Sequence, residues 1–227
     1  MADLRSKALE VHRRLVEQYG QRPWRPRLDP VAELVSTILS QNTNDRLRDR
    51  AFQRLRERFP TWEAVRDAPV EAIVEAIRVA GLGQQKARRI KEALQRISRE
   101  RGTLELDFLR QMPVEEARRW LTSFNGIGPK TAAIILLFAL GMPAFPVDTH
   151  VHRVSRRLGL IPPGTSREKA HRLLEEMMPP ETYYTFHLNL IRHGREVCQA
   201  RRPRCERCFL KDLCDFYPSR PTSSTAA

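Results

Sequence analysis

A chain of 227 residues with 41% hydrophobic content can build one large globular domain, or two smaller ones that share a core. Its charged fraction of 30% is heavily unbalanced, at a formal net +13, which points to polyanionic partners with nucleic acid foremost; a merely solubilising surface is the alternative. The longest apolar run, residues 131–142, falls short of the roughly 20 residues a spanning helix needs, and the first residues lack an apolar signal core. A membrane protein is therefore disfavoured, and an intracellular monomer is expected, cytoplasmic and nucleoid-associated in a bacterium.

Apolar residues recur at spacings of three and four with no sustained alternation, so the fold is expected to be all-α. Residues 4–19 read as an amphipathic helix, followed by a bend at Pro23, Pro26 and Pro30. An apolar helix over 31–40 runs into the polar cluster Gln41-Asn42-Thr43-Asn44-Asp45. There Asp45 is placed to cap the next helix, which reaches about residue 59. Helices are predicted over 62–66, 70–79, 84–100, 104–111 and 114–123, with the glycine turn Gly81-Leu82-Gly83 between the second and third. Helices over 129–140, 148–158, 166–178 and 181–194 follow, then a cysteine-rich segment. The tail, 218–227, is poor in apolar residues and expected to be disordered.

The segment from Leu121 to Ala133 contains a second glycine turn, Gly126-Ile127-Gly128, then Pro129 and Lys130. Two glycines permit a tight turn with no side chain in the way, and Pro129 suits the first position of a helix. The product is a helix, a short hairpin and a second helix, suited to phosphate or serving as an ordinary corner. Only six of the 40 basic residues are lysines, and arginine cannot act as an amine nucleophile. Lys130 at the head of a helix, desolvated beneath bound DNA, is placed to act as a neutral amine that attacks carbon; the alternative is a phosphate contact. Asp148, in Val147-Asp148-Thr149-His150, heads a new helix and is an N-cap by position. A fixed carboxylate there also suits a developing cation. From Lys130 to Leu140 a helix advances about 15 Å, and residues 141–147 can return about 23 Å, which permits the two groups to meet. His150 and His152 are expected to shape the helix that Asp148 starts.

Cys198, Cys205, Cys208 and Cys214 are the only cysteines, spaced C-x6-C-x2-C-x5-C. Four thiols in one short segment favour a metal site over disulfides, either zinc or iron–sulfur.

The run Gly126-Ile127-Gly128-Pro129-Lys130, followed by Val147-Asp148-Thr149-His150 and by this cysteine pattern, resembles the helix–hairpin–helix DNA glycosylases of the endonuclease III group over about 31–217. The resemblance implies a base-excision repair glycosylase with abasic-site lyase activity on double-stranded DNA. Lys130 would attack C1′ of a flipped-out nucleotide and Asp148 would assist, with oxidised pyrimidines and abasic sites as substrates. It implies two helical lobes, one over 31–142 and a discontinuous one over 1–30 and 143–217, with DNA in the cleft between. It implies a 4Fe–4S cluster on the four cysteines, structural in role, stiffening a loop whose Arg201, Arg202, Arg204 and Arg207 meet phosphates along with Gly126 and Gly128. The family's polar wedge aligns with Asn42, and Gln41 precedes it. This version of the cluster departs from the family's usual Ser-Ala-Gln-Ala-Thr-Asp, so either residue is a candidate to fill the gap in DNA, or both only cap a helix. Leu82 resembles the second wedge, or packs in the core. The rival functions are a monofunctional mismatch or adenine glycosylase of the same fold, whose members typically lack the hairpin lysine, and a DNA-binding module without catalysis.

Overall fold

The computed structural model describes residues 2–219, and these form helices and turns with no strand among them. The disordered tail expected over 218–227 lies outside the described residues except for Pro218 and Ser219, which belong to the last helix. The helices are α1 Ala2–Tyr19, α2 Pro30–Ser40, α3 Asp45–Arg58, α4 Trp62–Asp67, α5 Val70–Ile77, α6 Gly83–Arg101, α7 Val114–Thr122, α8 Pro129–Ile134, α9 Thr149–Arg157, α10 Arg167–Met177, α11 Tyr183–Glu196 and α12 Phe216–Ser219. They divide into two compact units. One is Arg25–Met142, and the other joins Met1–Trp24 to Pro143–Ala227.

In the unit Arg25–Met142, α2 is the central helix. Asp29 caps it by accepting from the Ala32 amide at 2.9 Å, and Pro30 occupies its first turn. Val31, Leu34, Val35, Ile38 and Leu39 are all buried, at about 1.5–3 kcal/mol of hydrophobic stabilisation apiece. It packs against α3, α6 and α8, while α4 and α5 lie on α6. Helix α6 buries Ala87, Ile90, Leu94 and Ile97 and turns its arginines outward. Three expectations need correction. Asn44, not Asp45, caps α3: its backbone is still extended and its Oδ1 accepts from the Leu47 amide, whereas Asp45 already lies in the helix and its carboxylate meets Arg48 at 3.0 Å. Of the helix expected over 104–111, only a 3-10 turn, Asp107–Gln111, forms. The run 129–140 is not one α-helix, because after Ile134 it widens into a π-helical turn, Ile135–Ala139. Arg110 takes up the carbonyls of Ala139 and Leu140 where the widened turn ends.

In the second unit α1 packs on α10 and α11, and α9 packs on α10 and α11. Val11 and Leu15 from α1, Val151 and Val154 from α9, and Phe186 and Leu190 from α11 are fully buried in this unit. The expected helix starts at Asp148 and Ser166 are borne out: each side chain accepts an amide hydrogen bond three residues on. Lys7 pairs with Asp215 at 2.6 Å and Arg14 with Asp212 at 2.7 Å, which ties α1 to the cysteine-rich segment.

Candidate active site and cysteine loop

The hairpin between α7 and α8 is a tight turn, with the Ile127 amide donating to the Phe124 carbonyl at 3.1 Å. Gly126 sits at φ +79°, in the left-handed region that favours glycine. Gly128 is extended, and a Cβ added there would meet nothing within 4 Å. Lys130 follows in the first turn of α8, and its side chain is exposed. The lysine thus stands at the surface beside a turn with little side-chain bulk.

Two further turns belong to the same unit. Asn42 and Leu82, both at φ +52°, are the only non-glycine residues in the left-handed region among the described residues. A side chain there costs about 1–2 kcal/mol. Both are exposed, Leu82 at 52%. Gln41 differs from its neighbour. Its Nε2 donates to the Gly126 carbonyl at 2.8 Å and its Oε1 accepts from Arg89 Nη1 at 2.8 Å. Gln41 therefore links its turn to the hairpin, and Asn42 is left projecting.

Asp148 lies in the other unit, half-buried at the start of α9, and its Oδ1 accepts from the Val151 amide at 2.8 Å. The strand of chain leading to it is clamped. The Phe145 amide donates to Glu175 Oε1 at 2.7 Å. The imidazole Nδ1 groups of His171 and His187 lie 2.8 Å from the carbonyls of Phe145 and Pro146, so each donates there. His152 Nε2 meets the Thr165 carbonyl at 2.8 Å, and His150 Nδ1 accepts from Arg153 Nη2 at 3.0 Å. Burial lowers the pKa of His150, against the opposing pull of Asp148.

The four cysteines line one pocket together with Val154, Leu158 and Phe216. Arg157 Nη1 lies 3.4 Å from Cys198 Sγ and His193 Nε2 lies 3.6 Å from Cys208 Sγ. Burial pushes the Cys208 thiol up to about 11 and raises Cys214 as well. A bound metal must therefore displace the protons of these two thiols to gain their thiolates. Four thiols around one apolar-walled pocket, with hydrogen-bond donors to sulfur, suit an iron–sulfur cluster. Arg201, Arg202, Arg204 and Arg207 all project to solvent from the same loop.

Comparison with known proteins decides the family. Residues 35–180 match the model of the HhH-GPD superfamily base excision DNA repair protein. The chain belongs to the HhH-GPD superfamily. Residues 198–214 match the iron-sulfur binding domain of endonuclease III. The endonuclease III of Sulfolobus acidocaldarius is 36% identical over 188 residues, covering 82% of both chains. That of Thermotoga maritima is 33% identical over 211 residues, covering 93% of both. Among solved structures, a trapped endonuclease III–DNA covalent intermediate superposes with a TM-score of 0.80 at 28% identity, over 95% of this chain and 97% of that one. Like the endonuclease III group, this HhH-GPD member carries a 4Fe–4S cluster in its cysteine segment.

Several residues that organise the HhH-GPD site are not apparent from its motifs. Arg153 donates to the carbonyls of Cys198 and Gly194, and Arg157 to those of Gln199 and Ala200. The helix headed by Asp148 is therefore fastened to the cysteine loop. Their spacing of four on α9 was the available signal, hidden among so many arginines. His171, His187 and Glu175 gave none, because each acts on backbone far away in sequence.

Proposed function

We propose that this chain is a bifunctional base-excision repair enzyme, a DNA glycosylase and abasic-site lyase that removes oxidised pyrimidines from duplex DNA. The observation that carries the reading is Lys130, exposed immediately after the glycine hairpin of an HhH-GPD chain that resembles endonuclease III throughout. A sugar carbon is inaccessible within stacked DNA, so the nucleotide must first be extruded. The neutral Lys130 amine then bonds to C1′ as the glycosidic bond breaks, and the base leaves with a proton. The nitrogen gives up a proton, and its lone pair then forms the C1′=N bond of the Schiff base as the C1′–O4′ bond breaks and O4′ takes up a proton. A proton is next taken from C2′ and the 3′ phosphate departs, nicking the strand. Water finally hydrolyses the imine and returns the lysine. Asp148, held ready by its amide contact, stabilises the cationic sugar and relays the lysine's proton.

In this reading Asn42 fills the space left by the extruded nucleotide and Leu82 presses on the opposite base, because both project while Gln41 is engaged internally. Gly126 and Gly128 admit the phosphate backbone, with Arg201, Arg202, Arg204 and Arg207 as further phosphate contacts. Cys198, Cys205, Cys208 and Cys214 hold the cluster, which when bound cross-links four points of that arginine loop. The enzyme works as a monomer inside the cell, on chromosomal DNA. Borohydride trapping tests the reading: the cluster-loaded protein should form a covalent adduct with abasic DNA, and Lys130→Gln should form none. No adduct from the wild type would instead favour a monofunctional glycosylase or a silent binding module.

A further inference from the structure

Lys86 is fully buried, at 0% exposure, and the mechanism above does not use it. Its Nζ donates to two carbonyls, those of Leu39 and Ala80, each at 2.8 Å. Leu39 lies at the end of α2, three residues before Asn42. Ala80 ends the 3-10 turn Arg78–Ala80, two residues before Leu82. One ammonium thus holds the departure points of both turns whose tips are left-handed and exposed. The amide of Lys86 also accepts a place in this arrangement, donating to the Leu82 carbonyl at 3.0 Å.

A buried amine is costly, and an aliphatic residue would fill the volume without that cost. Burial lowers the lysine's pKa, the signature of that cost. Carbonyls at helix ends need donors, and turns that faced water could take them from solvent. A single protein donor shared by two turns does what water cannot, because it fixes one turn relative to the other. Arg89, three residues further along the same helix, extends the link through Gln41 to the hairpin carbonyl of Gly126.

We propose that Lys86 is a positioning residue that sets the spacing of the two DNA-inserting tips, Asn42 and Leu82, so that they enter the duplex as a pair. The inference rests on the functional reading above. An insertion device matters only where there is a partner strand to enter, so its loss should harm duplex reactions and spare those on a single strand.

The test uses the full cluster-loaded chain, nicking the same abasic oligonucleotide either paired or unpaired, with 2-aminopurine opposite the lesion in the duplex. Lys86→Met, folded by thermal melting, should nick the duplex at least tenfold more slowly, with weakened 2-aminopurine response, and the single strand within twofold of wild type. Equal loss on both substrates, or loss on neither, overturns this inference while leaving the lyase reading intact. A wild type that nicks and traps neither substrate overturns both. Should Lys86→Met fail to fold, amide exchange of the wild type decides: Gln41, Thr43 and Gly81 should open in one shared process, and independent opening of the two turns overturns the proposal.

Discussion

Asp148 caps α9, and the catalytic duty proposed for the same carboxylate can be tested apart from the cap because asparagine caps helices as well as aspartate does. Asp148→Asn keeps an oxygen for the Val151 amide but loses the charge. Its stability should stay within about 0.5 kcal/mol of wild type, while strand nicking slows by about 100-fold or more. Asp148→Ala should add a loss of about 1 kcal/mol from the missing cap. Urea melts beside single-turnover nicking distinguish the two duties, and a nicking rate unchanged in Asp148→Asn would leave this residue a cap alone. A similar contrast holds at the neighbouring turn. Asn42→Gly, which suits the left-handed backbone there, should weaken base release from duplex DNA without loss of stability, whereas Gln41→Ala should also destabilise the fold, because it frees Arg89 and the Gly126 carbonyl.

At the level of elements, the hairpin and the long helix beneath it are mutually fitted. A Cβ at Gly126 would fall 2.5 Å from Arg89 Nε, and the backbone there is left-handed. Gly126→Ala should therefore cost about 1–2 kcal/mol, measured by urea melting, and weaken duplex binding as Arg89 swings away from Gln41. The glycines and Pro129 made this hairpin readable from sequence, as did the apolar period of α2, α6 and α11. Capping was readable at Asp148 but not at α3, where Asn44 and Asp45 are both good caps and only the chain's path chooses between them. The π-helical turn at Ile135–Ala139 has no sequence signature, and the Arg110 side chain that takes its last carbonyls arrives from another part of the chain. Lys86, His171 and His187 escaped for the same reason: buried polar groups look like surface residues until the carbonyls they serve are known. In α1, His12 packs edge-on to Phe186 with its Nδ1 buried and unpartnered. Burial lowers its pKa below the ordinary 6.5. The unfolded chain therefore binds this proton first, so stability is full at neutral pH and falls as pH drops below about 6.5 toward the folded-state value. His12→Leu should flatten the decline, as read from denaturant midpoints between pH 7 and pH 5.

For the molecule as a whole, a net charge of +13 does not state how many cations meet DNA. Many arginines are committed within the protein: Arg13 is paired with Glu10 and Glu17, and Arg157 spans the cysteine loop while lying over the Phe216 ring at 4.5 Å. Counterion release counts only cations that neutralise phosphate, each contributing about 0.9 to the slope of log affinity against log salt. Arg201, Arg202, Arg204 and Arg207 project to solvent from the loop that carries the cluster cysteines. Replacing any one of them by Gln should lower the slope by about 1, and Arg13→Gln should leave it unchanged. A cluster-free Cys208→Ser protein that still folds should lose several units of slope at once, since the loop then presents its charges in no fixed array. Titrations of one duplex across a salt series measure all of these, and a slope that Arg201→Gln and Arg204→Gln both leave at the wild-type value would remove this loop from the DNA-binding surface.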